Sequence, residues 1–477
     1  MLTQARLEQA LWAAAQALRG AIDAADYRGV ILGAVFLKRL SDVADEGEGA
    51  SFAVPPEARW RTLRAVERRV GEALDRACAS LERANPSIAG VLTATGFRQP
   101  HRLGPMDQRD RALRRLLDAL DPVPLGNAAL PDPDVLGRAY EYLIARFADD
   151  AGRKGGEFYT PRGVVKLLVE ILDPREGMRV CDPTCGSAGM LVAVAQRASA
   201  RGHDPRALTL HGQEKNAATW ALARMNLLLH GLPGARIEHG DTLREPKLLS
   251  PNGLCRYHRV IANPPFSLAD WGRELAAGDA HGRFRFGVPP RARGDLAFVQ
   301  HMVATLDDGG VAAVVLPQGA LFRGGAEAEI RRGMLREGLV DAVIALPDGL
   351  FHGTPIPASV LVLRKGREVG AGVFMVDARG DYEAGPRQNS LRDRDIERIT
   401  AALRTREATA GVAASVPVEA LLEGDAALSP AGHVGGARSR APVALGEALE
   451  ALERQARARD DAERAMHLAL ARLKSRG

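Results

Sequence analysis

Arg179-Val-Cys-Asp-Pro-Thr-Cys-Gly-Ser-Ala-Gly-Met-Leu191 reads as a strand, a glycine-bearing turn and the start of a helix. Gly186 and Gly189 let the backbone approach a ligand closely, and the amino end of the following helix favours a negative group. The run has neither the GxGxxG spacing of a dinucleotide fingerprint nor the GKS or GKT of a P-loop. The alternative reading of the run alone is a glycine-bearing βα turn without a ligand. Outward from it, the texture repeats. Between about residues 167 and 365, short apolar runs at 178–181, 207–212, 259–262, 310–316, 339–346 and 359–363 alternate with helical segments. That alternation predicts an α/β fold, a doubly wound and mostly parallel sheet. Ligands on such sheets sit outside the carboxyl ends of the strands, so the residues just after each run carry the information.

Three such positions stand out. Glu214, in Leu210-His-Gly-Gln-Glu214, ends the strand after the glycine loop, where a carboxylate accepts both hydroxyl hydrogens of a ribose. Gly240-Asp241-Thr242 follows the next strand and places an acceptor, Asp241, where an adenine amino group would lie. Val260-Ile-Ala-Asn-Pro-Pro-Phe266 drives an apolar strand into Asn263, Pro264, Pro265 and Phe266. The prolines fix φ and push Asn263 into an extended conformation, so its amide and the Pro264 carbonyl are rigidly aimed. Such a pair accepts hydrogen bonds from an exocyclic amine, and the Phe266 ring offers a face on which a flipped-out base stacks.

The flanks are helical. Apolar residues at helical spacing fill residues 1–45, with a second helix from about Asp26, then 61–84, 106–120 and 135–147. Residues 424–442 read as a connector, and 443–476 as one charged helix with an apolar stripe. The charge argues for little. Seven of the 64 basic residues are lysine and the rest arginine, a skew that GC-rich coding produces without any ligand, so the net charge of +5 permits an acidic polymer as partner without requiring one. Four cysteines are too few for a disulfide framework and fit a reducing cytoplasm. Cys181 and Cys185 lack a second pair to complete a metal site, so no metal is expected. No run approaches a membrane span.

Asp182-Pro-Thr-Cys-Gly-Ser-Ala-Gly189 and Asn263-Pro-Pro-Phe266 resemble the cofactor and catalytic motifs of S-adenosylmethionine-dependent methyltransferases acting on DNA adenine. Gly156-Glu-Phe-Tyr-Thr-Pro161 precedes the glycine loop, an order similar to their gamma class. More narrowly, the chain resembles the modification subunit of type I restriction–modification systems over about residues 7–435. Leu136-Gly-Arg-Ala-Tyr-Glu-Tyr142, Arg283-Phe-Arg-Phe-Gly287, Asp295-Leu-Ala-Phe298 and Leu346-Pro-Asp-Gly-Leu-Phe351 carry that likeness.

The resemblance implies S-adenosylmethionine as cofactor and the 6-amino group of a flipped adenine in double-stranded DNA as target. Glu157, Phe158, Tyr159, Thr160, Pro161 and Arg162 would meet the methionine part of the cofactor, and Asp182, Gly186, Ser187, Ala188 and Gly189 would line its loop. Glu214 would hold the ribose and Asp241 would approach the adenine. Asn263, Pro264, Pro265 and Phe266 would be catalytic. Ala188 departs from the glycine of many relatives, which implies a slightly narrower loop. The resemblance also implies a separate specificity subunit and a restriction subunit, with two modification subunits per specificity subunit. It divides the chain into a helical domain at 1–150, a catalytic domain at 151–400 and a docking region at 401–477. Other readings are a methyltransferase of a protein glutamine or an RNA guanine amine, and a non-catalytic cofactor-binding scaffold.

Overall fold

The computed structural model describes residues 3–16, 18, 24–47, 52–97, 106–130, 133–151, 160–351, 356–385 and 388–435. Glu157, Phe158 and Tyr159 and the expected tail helix at 443–476 lie outside them.

The amino-terminal third is helical: α1 (Gln4–Gln16), α2 (Ala24–Glu46), α3 (Trp60–Arg64), α4 (Val70–Ala84), α5 (Met106–Leu120) and α6 (Pro133–Ala151). The spacing of apolar residues explains their packing. Leu7 and Leu11 on α1, Leu113, Leu116 and Leu120 on α5, and Leu136, Tyr140 and Leu143 on α6 recur every three or four positions and are buried in one core. The helix expected over 61–84 is two, broken where Arg69 adopts a left-handed φ of 56°.

A further helix, α7 (Arg162–Leu172), leads into a nine-stranded sheet. Its strands are β1 (Arg179–Asp182), β2 (Thr209–Glu214), β3 (Arg236–His239), β6 (Tyr257–Ala262), β7 (Leu306–Pro317), β8 (Val340–Ala345), β9 (Ala358–Arg364), β10 (Val373–Asp377) and β11 (Ala413–Val416). A two-residue hairpin, β4 (Leu249–Ser250) with β5 (Gly253–Leu254), stands apart. The spatial order is β11-β10-β8-β9-β7-β6-β1-β2-β3. All pairs are parallel except those made by β9 with its two neighbours and by β11 with β10. The period of two is visible within β7: Val311, Ala313 and Val315 enter the core on one face, Ala312, Val314 and Leu316 that on the other. Helices α8 (Gly189–Ala200) and α7 cover the first face, and α10 (Asp295–Thr305) with α11 (Ala326–Arg336) the second.

The helix α9 (Ala217–Leu229) joins the two parts of the molecule. Its Leu222, Met225 and Leu229 belong to the core of the helical domain, whereas Ala223 and Leu227 belong to that of the sheet. The division expected at residue 400 falls inside the helix α12 (Asp393–Thr405), and β11 beyond it pairs with β10, so the sheet domain runs to about residue 435. None of the described helices is long and apolar enough to cross a membrane.

Candidate active site

The strand order reverses between β1 and β6: from β1 the chain winds outward through β2 and β3, then returns to place β6 on the other side of β1. Cys181 pairs with Val260, so Asp182 ends β1 level with Ile261, and Asn263 emerges just beyond. The glycine loop and the Asn-Pro-Pro-Phe loop are therefore neighbours at the switch point, where such sheets bind ligands.

The glycine loop is shaped by backbone contacts. Cys185 N–H donates to the Gln213 carbonyl at 3.1 Å and Gly186 N–H to Glu214 Oε2 at 3.0 Å. Gly186 takes φ 53°, a conformation cheap only for glycine. Ala188 takes φ 63° at the amino cap of α8, so a residue with a Cβ occupies a left-handed position. Its side chain is buried and belongs to the sheet core. Cys181 and Cys185 pack on opposite faces of the sheet as small apolar residues.

Asp182 is fully buried. Its Oδ1 accepts from Thr184 N–H at 3.0 Å, and its Oδ2 has no partner. Burial, with the Glu214 carboxylate adding to it, pushes its pKa up to about 8. The Thr184 hydroxyl is likewise buried without a partner. Glu214 is raised by burial, against the N–H groups of Asn216 (2.7 Å) and Gly186 that bind it. Asp241 already holds the N–H groups of Leu243 and Arg244 at 3.0 and 3.1 Å and pairs with Lys215 at 2.9 Å.

Asn263 is oriented by a residue distant in sequence. Its Nδ2 donates to Thr160 Oγ1 at 3.0 Å, leaving Oδ1 buried and without a partner. Phe266 is half-buried and stands edge-on to Phe351, with centroids 5.7 Å apart. Ser267, at φ 51°, donates its N–H to Asp295 Oδ1 at 2.7 Å, which pins the loop just past the aromatic ring.

A cleft of about 720 Å³ opens here, and Thr160, Arg162, Gly186, Ser187, Gly189 and Asn263 line it. Pro161, Asp182, Ala188, Glu214 and Asp241 do not. The opposite wall belongs to α1 and α6 of the helical domain, which the sequence reading did not place at the site.

Sequence reasoning also missed the buttresses. Arg283, buried and paired with Asp279 at 2.7 Å, donates to the carbonyls of Thr242 (3.1 Å) and Leu243 (2.9 Å). Thr242 Oγ1 in turn donates to the Pro183 carbonyl at 2.5 Å, so the segment after the catalytic loop reaches the glycine loop. Arg283 and Asp295 sit in segments noted for their likeness to relatives, but nothing local announces the distant backbone groups they hold.

Fold and site together define a Rossmann-like methyltransferase. Residues 131–441 match the family model described as N-6 DNA Methylase, and residues 7–120 that described as HsdM N-terminal domain. The MjaIX type I restriction enzyme methylase subunit of Methanocaldococcus jannaschii is 28% identical over 84% of this chain and 77% of its own length. The HindI methylase subunit of Haemophilus influenzae is 29% identical over 80% of this chain and 90% of its own. The crystal structure of the type I restriction–modification methyltransferase subunit from Streptococcus thermophilus superimposes with a TM-score of 0.79 at 30% identity, over 90% of this chain and 99% of that one. The chain belongs to the N-6 DNA methylases, in the family of type I restriction–modification methylase subunits.

Proposed function

We propose that this chain transfers a methyl group from S-adenosylmethionine to the 6-amino group of a flipped adenine in double-stranded DNA, as the modification subunit of a type I system. The observation that carries the reading is the Asn263 amide, held through Nδ2 by Thr160 with its buried Oδ1 free. Two further buried, unmatched polar atoms, Asp182 Oδ2 and Thr184 Oγ1, lie at the glycine loop and suit a polar ligand such as this cofactor. When bound, S-adenosylmethionine supplies an electrophilic methyl group on a sulfonium.

The chain's own contribution is positioning and electrostatics. Adenine's amine is a weak nucleophile because its lone pair is delocalised into the ring. Asn263 Oδ1 and the Pro264 carbonyl accept its two hydrogens and favour a pyramidal nitrogen whose lone pair points at the methyl. Phe266 holds the base by stacking, and Asp295 fixes the turn behind it. Once methylated, the nitrogen would carry one proton too many, and that proton would leave to water. Glu214 suits the ribose and Asp241 the adenine of the cofactor, each in exchange for part of its present hydrogen bonding.

The curated relatives are methylase subunits of type I restriction enzymes, and this supports a specificity subunit and a restriction subunit as partners; two copies of this chain per specificity subunit is part of the same proposal. The test is transfer of tritiated methyl by the chain co-purified with its specificity subunit. Label is expected in N6-methyladenine of duplex DNA. Label confined to protein glutamine or RNA guanine would overturn the reading in favour of the other amine methyltransferases.

A further inference from the structure

We propose that the molecule has a second ligand site, a cationic cavity at the sheet edge opposite the catalytic loops, which takes a small phosphate-bearing anion through Arg256 and Lys365. The methyl-transfer reading uses neither residue.

A cavity of about 270 Å³ is lined by Arg256, His281, Arg283, Arg285, Gln300 and Lys365, and none of its lining residues is acidic. Its place in the fold follows from the strands. Arg256 immediately precedes β6, and Lys365 follows β9, whose last residue, Arg364, pairs with Val311 early in β7. Both positions lie at the edge where β6 and β7 begin, whereas Asn263 emerges where β6 ends.

The four cations are of two kinds. Arg283 is paired with Asp279 at 2.7 Å, and Arg285 with Glu337. Arg256 and Lys365 are held instead by main-chain carbonyls, Arg256 by that of Ala304 and Lys365 by that of Leu306 at 2.6 Å. A carbonyl satisfies a donor but brings no counter-charge. Asp307, nearby, is paired with Arg179 at 2.6 Å. Burial lowers the Lys365 pKa, and the Arg256 and Arg285 charges add to the fall while Asp308 and Asp307 oppose it. Like charges thus surround a concave space, the arrangement that concentrates an anion.

The donors specify the anion. A guanidinium presents a planar fork that meets two phosphate oxygens at once, and an ammonium has three donors, of which Lys365 directs one to Leu306. His281 adds a ring N–H. Two cations without acidic partners call for an anion of about two negative charges, which phosphate groups carry at neutral pH and a lone carboxylate does not. The volume is near the lower end of the roughly 300–1,000 Å³ of small-ligand sites, so the ligand is small. A free phosphate compound suits this edge better than a duplex whose adenine is held at Asn263, on the other.

The experiment is calorimetric titration of the full chain with sodium pyrophosphate at fixed ionic strength, for the wild type, Arg256→Gln and Lys365→Met. Arg394→Gln, which removes one exposed charge outside the cavity, serves as the control. Saturable binding at one site is expected for the wild type, weakened at least about tenfold by each cavity substitution, the worth of a charge-assisted hydrogen bond. Arg394→Gln should bind within twofold of the wild type, and saturating S-adenosylhomocysteine should leave the affinity unchanged. Circular dichroism melts check that the variants fold alike. Absence of saturable binding overturns the inference, as do cavity variants within twofold of the wild type or an equal loss in Arg394→Gln. Competition by S-adenosylhomocysteine would move the anion to the catalytic cleft, and a short DNA duplex that displaces pyrophosphate and needs the same two residues would give the cavity to DNA. Either result also overturns it.

Discussion

The glycine loop after β1 and the Asn-Pro-Pro-Phe loop after β6 stand side by side, yet they are held in opposite ways. The first is fixed through its main chain. Gly186 and Cys185 donate N–H groups to β2, the Ser187 carbonyl accepts from Asn226 Nδ2 at 2.9 Å, and the Pro183 carbonyl accepts from Thr242. Its side chains, Asp182 and Thr184, keep polar atoms in reserve. The second is held by the side chains of Asn263 on Thr160 and Phe266 on Phe351, and through its main chain at Ser267, whose N–H meets Asp295. A loop fixed by main chain tolerates side-chain replacement, whereas a loop fixed by side chains fails one residue at a time. The same reasoning separates binding from chemistry, because the ligand-holding loop keeps its shape when the amine-holding loop is damaged.

Substitutions on the two loops test that contrast. Asn263→Ala should show the largest effect, a loss of about 10²–10³ or more in the methyl-transfer rate, as for removal of one preorganised polar group that binds the transition state. Titration with S-adenosylhomocysteine should show cofactor affinity within a few-fold of wild type. Near-normal turnover would mean that the amide does not act on the amine. Asp295→Ala leaves the Ser267 N–H without its acceptor and should cost about 1–3 kcal/mol in chemical denaturation, with transfer falling further than cofactor binding. An equal fall in both would erase the distinction between the loops.

Asp182 gives a pH test on the other side. Its folded pKa of about 8 lies above the ordinary 3.8, so the unfolded chain releases this proton first. The associated stability of the empty protein is fully present below about pH 4 and is lost as pH rises to about 8. Urea melts at pH 5 and pH 8 should show a smaller difference for Asp182→Asn than for wild type. An unchanged difference would assign the pH dependence to other groups. Thr160→Val should slow transfer about tenfold or less, the worth of one neutral hydrogen bond, while raising KM for DNA little. Ala188→Gly is the smallest. Relief of a left-handed alanine is set against loss of a buried methyl, each about 1 kcal/mol, so stability should move by less than that and cofactor affinity not at all.

Much of this was legible before any coordinates. The apolar runs of β1, β2, β6, β7, β8 and β9 announce themselves, and the residues that follow β1 and β6 stand where the strand order reverses, with the end of β2 next to them. β11 reads Ala-Ala-Ser-Val, too short and too weakly apolar to stand out, and only its pairing with β10 makes it a strand. The residues that brace the site are illegible for a different reason. Asp295 and Arg283 act on backbone groups 28 and about 40 positions away, and Thr160 on a side chain 103 away. Such contacts follow from topology, which no local window contains. Ala188 shows the opposite limit: its identity is read at once, but the direction of its methyl depends on a backbone angle.

The helix α9 is a beam set into two walls. Leu222, Met225 and Leu229 anchor it in the helical domain, Ala223 and Leu227 in the sheet domain, and its Asn226 amide holds the Ser187 carbonyl of the glycine loop. A rotation of the helical domain large enough to unseat those leucines must also pull on that carbonyl, and melting of either core strips the beam from the other. Calorimetry of the intact chain should therefore register a single heat-absorption peak, with no hinge between the two parts for a protease to find along α9.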